Sequence, residues 1–266
     1  MTVRSGEVIA KARVDGRAAL VGYLPAGFPS FDGCVEAMKA LVAGGADVVE
    51  VGLPYSDPVI DGPTIQAATE QALRRGTRIT DVLRTVEAVA STGVATVVMT
   101  YWNPVLAYGP DRFAKDLAAA GGSGLITPDL IPDEAAEWLA ASDDHELERI
   151  FLVAPSSSDD RIASTTAACR GWVYAASTMG VTGARSSTSA VAPALVARVR
   201  EVSALPVGVG LGVSTGGQAA EVAAYADAVI VGSALVRCLL DADSAATGAT
   251  AVGVLAAELA AGVRTT

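Results

Sequence analysis

The chain has 266 residues, 51% of them hydrophobic, and a formal net charge of −10. That length and apolar content suit one large α/β domain or two small ones, and the even texture favours a single domain over 1–266, because no Ser/Gly tract, charge block or Pro-rich spacer divides it. An acidic chain without a basic stripe is a poor partner for nucleic acid.

The opening MTVRSGEVIAKARVDGR is broken by charges and carries no signal-peptide core. No uncharged apolar run reaches the ~18 residues of a membrane span. Cys34, Cys169 and Cys238 show no CxxC spacing, which favours buried thiols in a reducing cytoplasm over disulfides or zinc.

Short β-branched runs then alternate with segments of helical period. The runs are ALVGYL (19–24), DVVEVG (47–52), TVVMTY (96–101), GLIT (124–127), RIFLVA (149–154), WVYAA (172–176), PVGVGL (206–211) and DAVIVG (227–232). Several are almost wholly apolar, as parallel strands covered on both faces should be. Ser30 is placed to cap a helix through Val35, Met38 and Val42, closed by Gly44 and Gly45. Ile79, Val82, Leu83, Val86 and Val89 fall on one helical face. Pro132 reads as a first-turn proline for DEAAEWLAAS, and the Ala-rich tail after residue 240 as the last barrel helix. Strands alternating with helices in this way predict a (β/α)₈ TIM barrel. The rival, an open doubly wound sheet, calls for a Gly-rich fingerprint after its first strand, and LPAGFPS is not one.

Barrel active sites form at the C-terminal ends of the strands. Glu50 ends the second run among Val48, Val49, Val51 and Leu53, so its carboxyl should be desolvated and its pKa raised. Asp57 and Asp61 follow in a Gly/Pro loop, where SDP and DGP also serve as plain turns. Paired with Glu50, Asp61 would allow two carboxylates in unlike surroundings to divide acid and base roles. Tyr174, within the sixth run, and Tyr101, at the end of the third, are each able to hydrogen-bond a catalytic carboxylate or to serve as core aromatics; for Tyr101 the core role is preferred. Glycine loops at 177–185, 210–218 and 231–236 offer backbone N–H groups to a phosphate. The one histidine, His145, lies in a charged segment and reads as exposed, which excludes a multi-His metal site. Lys11, Lys39 and Lys115 end no strand, so a Schiff-base lysine is not expected.

The segments LPAGFPS, EVGLPYSDPVIDGPTIQ, MTYWNPVLAYG, GLITPDLIPDEA, GVTGAR, GVGLGVST and VIVGSALV together resemble the tryptophan synthase α-subunit family, over about residues 19 to 240. The resemblance implies a TIM barrel with an extra N-terminal helix that cleaves indole-3-glycerol phosphate to indole and glyceraldehyde 3-phosphate. It implies catalytic roles for Glu50 and Asp61, with Tyr174 beside them. It implies an aromatic substrate contact at Tyr23, a position often filled by Phe, and phosphate binding by Gly183, Gly212, Gly232 and Ser233. The stretch Pro54 to Asp57 would face a β subunit in an α2β2 assembly. The chain itself would need no metal or cofactor, with pyridoxal phosphate confined to the partner. One departure is STMGVTG, where many members have Ser-Arg-Ala/Ser-Gly: Thr178 and Met179 replace the arginine and the small residue, which bears on loop closure and coupling to the partner. The same residues are compatible with a stand-alone lyase, or with a non-catalytic phosphate-binding subunit that activates a partner.

Overall fold

The computed structural model describes residues 2–176 and 191–265. Parallel strands close into a barrel in chain order: β1 (Ala19–Pro25), β2 (Val48–Gly52), β3 (Ala95–Met99), β4 (Gly124–Thr127), β5 (Glu148–Val153), β6 (Val173–Ala176), β7 (Val207–Gly210) and β8 (Ala228–Val231), which pairs back on β1. Every apolar run read from the sequence is one of these strands, within two residues. Around them lie α1 (Ser5–Val14), α2 (Phe31–Ala43), α3 (Pro63–Arg74), α4 (Ile79–Ala90), α5 (Trp102–Tyr108), α6 (Pro110–Ala119), α7 (Ala136–Asp144), α8 (Asp159–Ala168), α9 (Val191–Val202), α10 (Gly216–Ala223), α11 (Ser233–Leu240) and α12 (Ala245–Gly262).

Side chains alternate along a strand, so every second residue faces the barrel axis. Ala19 and Val21, Val48, Ala95 and Val97, Ile126, Ile150, Ala228 and Ile230 form that inner row and are packed as one buried cluster. The same phase, two residues further on, brings Tyr23 and Glu50 to the mouth of the barrel as cross-strand partners.

The bottom is closed by α1, whose Ile9 and Ala12 are fully buried in the inner cluster. Its first turn is fixed by Glu148, at the start of β5. That carboxylate accepts from the backbone N–H of Ser5 (3.0 Å) and Gly6 (2.8 Å) and from the Ser5 hydroxyl, which in turn accepts from Trp172 Nε1 (3.0 Å). An acid at a helix N-terminus satisfies orphan donors and complements the dipole. Glu148→Ala leaves those buried donors unpaired and should cost at least about 3 kcal/mol, read from urea unfolding. An unchanged midpoint would contradict this role for the residue.

Three local expectations differ from the structure. Pro132 opens a 3-10 turn, Pro132–Glu134, and α7 begins only at Ala136. The helix after β8 is α11, while the tail forms a further helix, α12, packed on α2, α10 and α11. By length and composition α12 would suffice to cross a membrane. Its inner face, including Val252, Ala256 and Leu259, is buried. A Cβ at Gly44 would meet the Ala256 methyl at 2.5 Å, so Gly44 serves close helix packing, while Gly45 (φ +105°) takes the left-handed turn. His145 is half-buried at the end of α7, with Nε2 3.0 Å from Asp111.

Candidate active site

A cavity of about 310 Å³ opens at the C-terminal end of the strands. Tyr23, Glu50, Asp61, Tyr174, Gly212, Gly232 and Ser233 all line it. Gly183, Thr178 and Met179 lie outside the described residues. Among the described residues, no group of three or more His, Cys, Asp or Glu is gathered to hold a metal.

Glu50 is 1% exposed, and its Oε2 has no hydrogen-bond partner. Burial, and then the charge of Asp61, push its pKa up to about 8. Its carboxyl is therefore mostly protonated at neutral pH. Asp61 enters the same cavity from the loop between β2 and α3. Gly62 and Pro63 begin α3 immediately after it, and Gln66 Nε2 donates to the Asp61 carbonyl (2.8 Å). Burial raises the Asp61 pKa, and an interaction with the Tyr101 hydroxyl opposes that rise.

Tyr101 takes the core position preferred from sequence, with its hydroxyl satisfied inside the fold. β3 ends at Met99, and Tyr101 sits at the N-cap of α5, 3% exposed. Its hydroxyl accepts from the backbone N–H of Val59 (3.1 Å) and Ile60 (3.0 Å), and its ring lies 5.2 Å from that of Tyr55. The available sequence signal was WNP, which starts a helix and leaves the preceding tyrosine on the catalytic rim, beside the loop from β2.

Tyr174 follows Trp172 by two residues and stacks on it, with centroids 5.9 Å apart. Both rings need room on β7. A Cβ at Gly208 would meet the Trp172 ring at 2.7 Å, and one at Gly210 would meet the Tyr174 hydroxyl at 2.5 Å. These two glycines thus serve ring packing. Burial, and then the charges of Glu50 and Asp61, hold the Tyr174 phenol well above its ordinary pKa. Gly210→Ala should push Tyr174 aside, costing about 1–3 kcal/mol of stability together with turnover. Thermal melting and an indole-release assay on this variant check it, and unchanged values in both would rule out the packing role.

Tyr23 connects the two halves of the mouth. Its ring lies against Gly232, where a Cβ would stand 3.4 Å from Cδ1, and its hydroxyl lies over Gly52. Burial and the charges of Asp61 and Glu50 raise its pKa. On the β7–β8 side, Gly212 takes φ +72°, and Gly232 and Ser233 open α11. A helix start with glycine before it suits an anion. In the loop after β2, Asp57 is exposed and accepts from the Ser56 hydroxyl (2.6 Å), whereas Pro54 is buried.

The family model for the tryptophan synthase alpha chain matches residues 9–264. The chain belongs to the tryptophan synthase alpha chain family. It is 65% identical to the tryptophan synthase alpha chain of Salinispora arenicola over 98% of this chain and 97% of that one. It is 64% identical to that of Acidothermus cellulolyticus, over 97% and 96%. A solved structure of Mycobacterium tuberculosis tryptophan synthase superposes with a TM-score of 0.93 at 60% identity, covering 100% of both chains. As a tryptophan synthase alpha chain, the protein is a lyase that carries out the alpha reaction of tryptophan biosynthesis, the retro-aldol cleavage of indole-3-glycerol phosphate to indole and glyceraldehyde 3-phosphate.

Proposed function

We propose that Glu50 and Asp61, with Tyr174 beside them, carry the alpha reaction, and that Tyr23, Gly212, Gly232 and Ser233 hold the substrate. The observation that supports this most is the pair of carboxylates in one cavity, Glu50 protonated by burial and Asp61 raised by burial with the Tyr101 hydroxyl opposing that rise. Cleavage needs a proton delivered to indole C3, giving an indolenine whose C=N accepts the electrons of the breaking C–C bond. Glu50, protonated at neutral pH, delivers that proton. The resulting carboxylate then takes the proton of the side-chain hydroxyl as the aldehyde forms. Positive charge develops at the ring nitrogen, and the Asp61 carboxylate stabilises it there. Tyr174 and Tyr23 wall the cavity around the ring, and the start of α11 with Gly212 and Gly232 takes the phosphate. Proton movements and electrostatics supply the whole step, so no metal or cofactor is assigned to this chain.

We further propose that the chain works in the cytoplasm as a single domain docked on a tryptophan synthase β subunit in an α2β2 assembly, with pyridoxal phosphate held by that partner. Exposed apolar residues on the rim of the mouth support a docking face there: Val59 (75% exposed) after β2, Leu106 (50%) on α5 and Ile131 (40%) after β4, with Asp57 nearby in sequence. Indole release from indole-3-glycerol phosphate, measured without and with added β subunit, tests the assembly. Slow release that rises strongly with the partner is the expected result. Fast release unchanged by the partner would favour a stand-alone lyase, and no release in either case would leave only a non-catalytic activator.

A further inference from the structure

We infer that Tyr101 is a positioning residue for the alpha reaction: its hydroxyl templates residues 59–61 of the loop after β2 and decides that, of the two carboxylates, Asp61 carries the charge and Glu50 the proton. The inference rests on the roles given above to Glu50 and Asp61.

A phenol oxygen has two acceptor sites and one proton. Both acceptor sites of Tyr101 are taken by the N–H groups of Val59 and Ile60. Its proton is therefore left for the carboxylate of the next residue, Asp61, and the two groups affect each other accordingly. Two consecutive amides of one loop thus converge on the hydroxyl of one buried tyrosine, and Asp61 is the next residue along. Val59 is exposed, so the inner attachment to Tyr101 carries the order of this turn. The ring is itself fixed, buried at the N-cap of α5 and packed on Tyr55.

The titratable groups that face Asp61 are Glu50 on β2, Tyr23 on β1, Tyr174 on β6 and Tyr101 after β3. Two carboxylates sharing a dry cavity do not both ionise readily. A donor dedicated to Asp61 breaks the tie in its favour, while Glu50 Oε2 has no donor at all. A bystander tyrosine would satisfy its hydroxyl on any nearby acceptor and leave the division of protons untouched.

Tyr101→Phe removes only the hydroxyl, and it is compared with Asp61→Asn and with the double variant in indole release from indole-3-glycerol phosphate. The expected result is a fall in kcat on the order of 10- to 100-fold for Tyr101→Phe, larger than any change in KM. The acidic limb of its kcat/KM profile should move to higher pH, because Asp61 has lost its donor. The double variant should be no slower than Asp61→Asn, and the Val59 and Ile60 amides should exchange faster. Tyr101→Phe with kcat within about twofold of the parent, losses that multiply in the double variant, or an unmoved acidic limb would overturn the proposal. A Tyr101→Phe chain that no longer folds would also count against it, since the hydroxyl would then be a stability determinant. Normal turnover by Asp61→Asn would instead remove the role of Asp61 on which the inference stands.

Discussion

Glu50→Gln is expected to lower indole release by about 10³-fold or more while the barrel stays folded. Glutamine fills the same volume at the mouth but neither gives a proton to C3 nor takes one from the hydroxyl. The fold has no need of the carboxylate, since Oε2 accepts no hydrogen bond. Stability makes the same point with an opposite sign. The folded pKa of about 8 lies above the unfolded value, so the folded state binds more protons between them. The parent therefore loses stability as pH rises from the ordinary carboxylate range through about 8. Glu50→Gln should melt near the parent at pH 5 and above it at alkaline pH. Melting curves across that range check this, and a variant that melts below the parent at high pH would show that the ionised carboxylate stabilises the fold.

Asp61→Asn should lose roughly 10²-fold in turnover, with kcat falling more than KM rises. The charge on Asp61 matters most when the ring nitrogen becomes positive, which happens only on the way to the indolenine. An interaction made in the transition state and not in the ground state acts on kcat. Asparagine keeps the shape and still accepts from Tyr101, so the loop should remain in place. A second consequence is specific to the pair. The Asp61 charge is one of the two causes that raise the Glu50 pKa. Removing it should move the alkaline limb of the residual activity to lower pH. Steady-state kinetics over pH check both, and an unmoved limb would mean that the two carboxylates do not sense each other.

The barrel was legible because its causes are local. Alternation, apolar runs and helical period lie along the chain, and all of the runs from ALVGYL to DAVIVG became strands. Glu50 was legible for the same reason, an acid at the end of an apolar run. Gly208 and Gly210 were less so. Gly210 opens a glycine loop that suggests anion binding and Gly208 sits within a strand run, while both give clearance for Trp172 and Tyr174 on the neighbouring strand. That clearance depends on register between β6 and β7, which no single segment encodes. Tyr101 reads from sequence as a core aromatic and is buried as one, but the partners of its hydroxyl are not legible there. Its partners Val59, Ile60 and Asp61 lie some 40 residues earlier and meet it only when β2 and β3 pair. The resemblance assigns Pro54 to Asp57 to one partner-facing loop, and the turn there buries Pro54 and exposes Asp57.

Burial keeps Glu50 protonated, so that it starts the reaction as an acid. The pH profile of kcat/KM for indole release from indole-3-glycerol phosphate tests it most directly, because that profile reports groups of the free protein. Activity should fall above about pH 8 with the loss of one proton, following the Glu50 carboxyl. A profile that stays flat to about pH 9.5, or falls already above about pH 5, would contradict it.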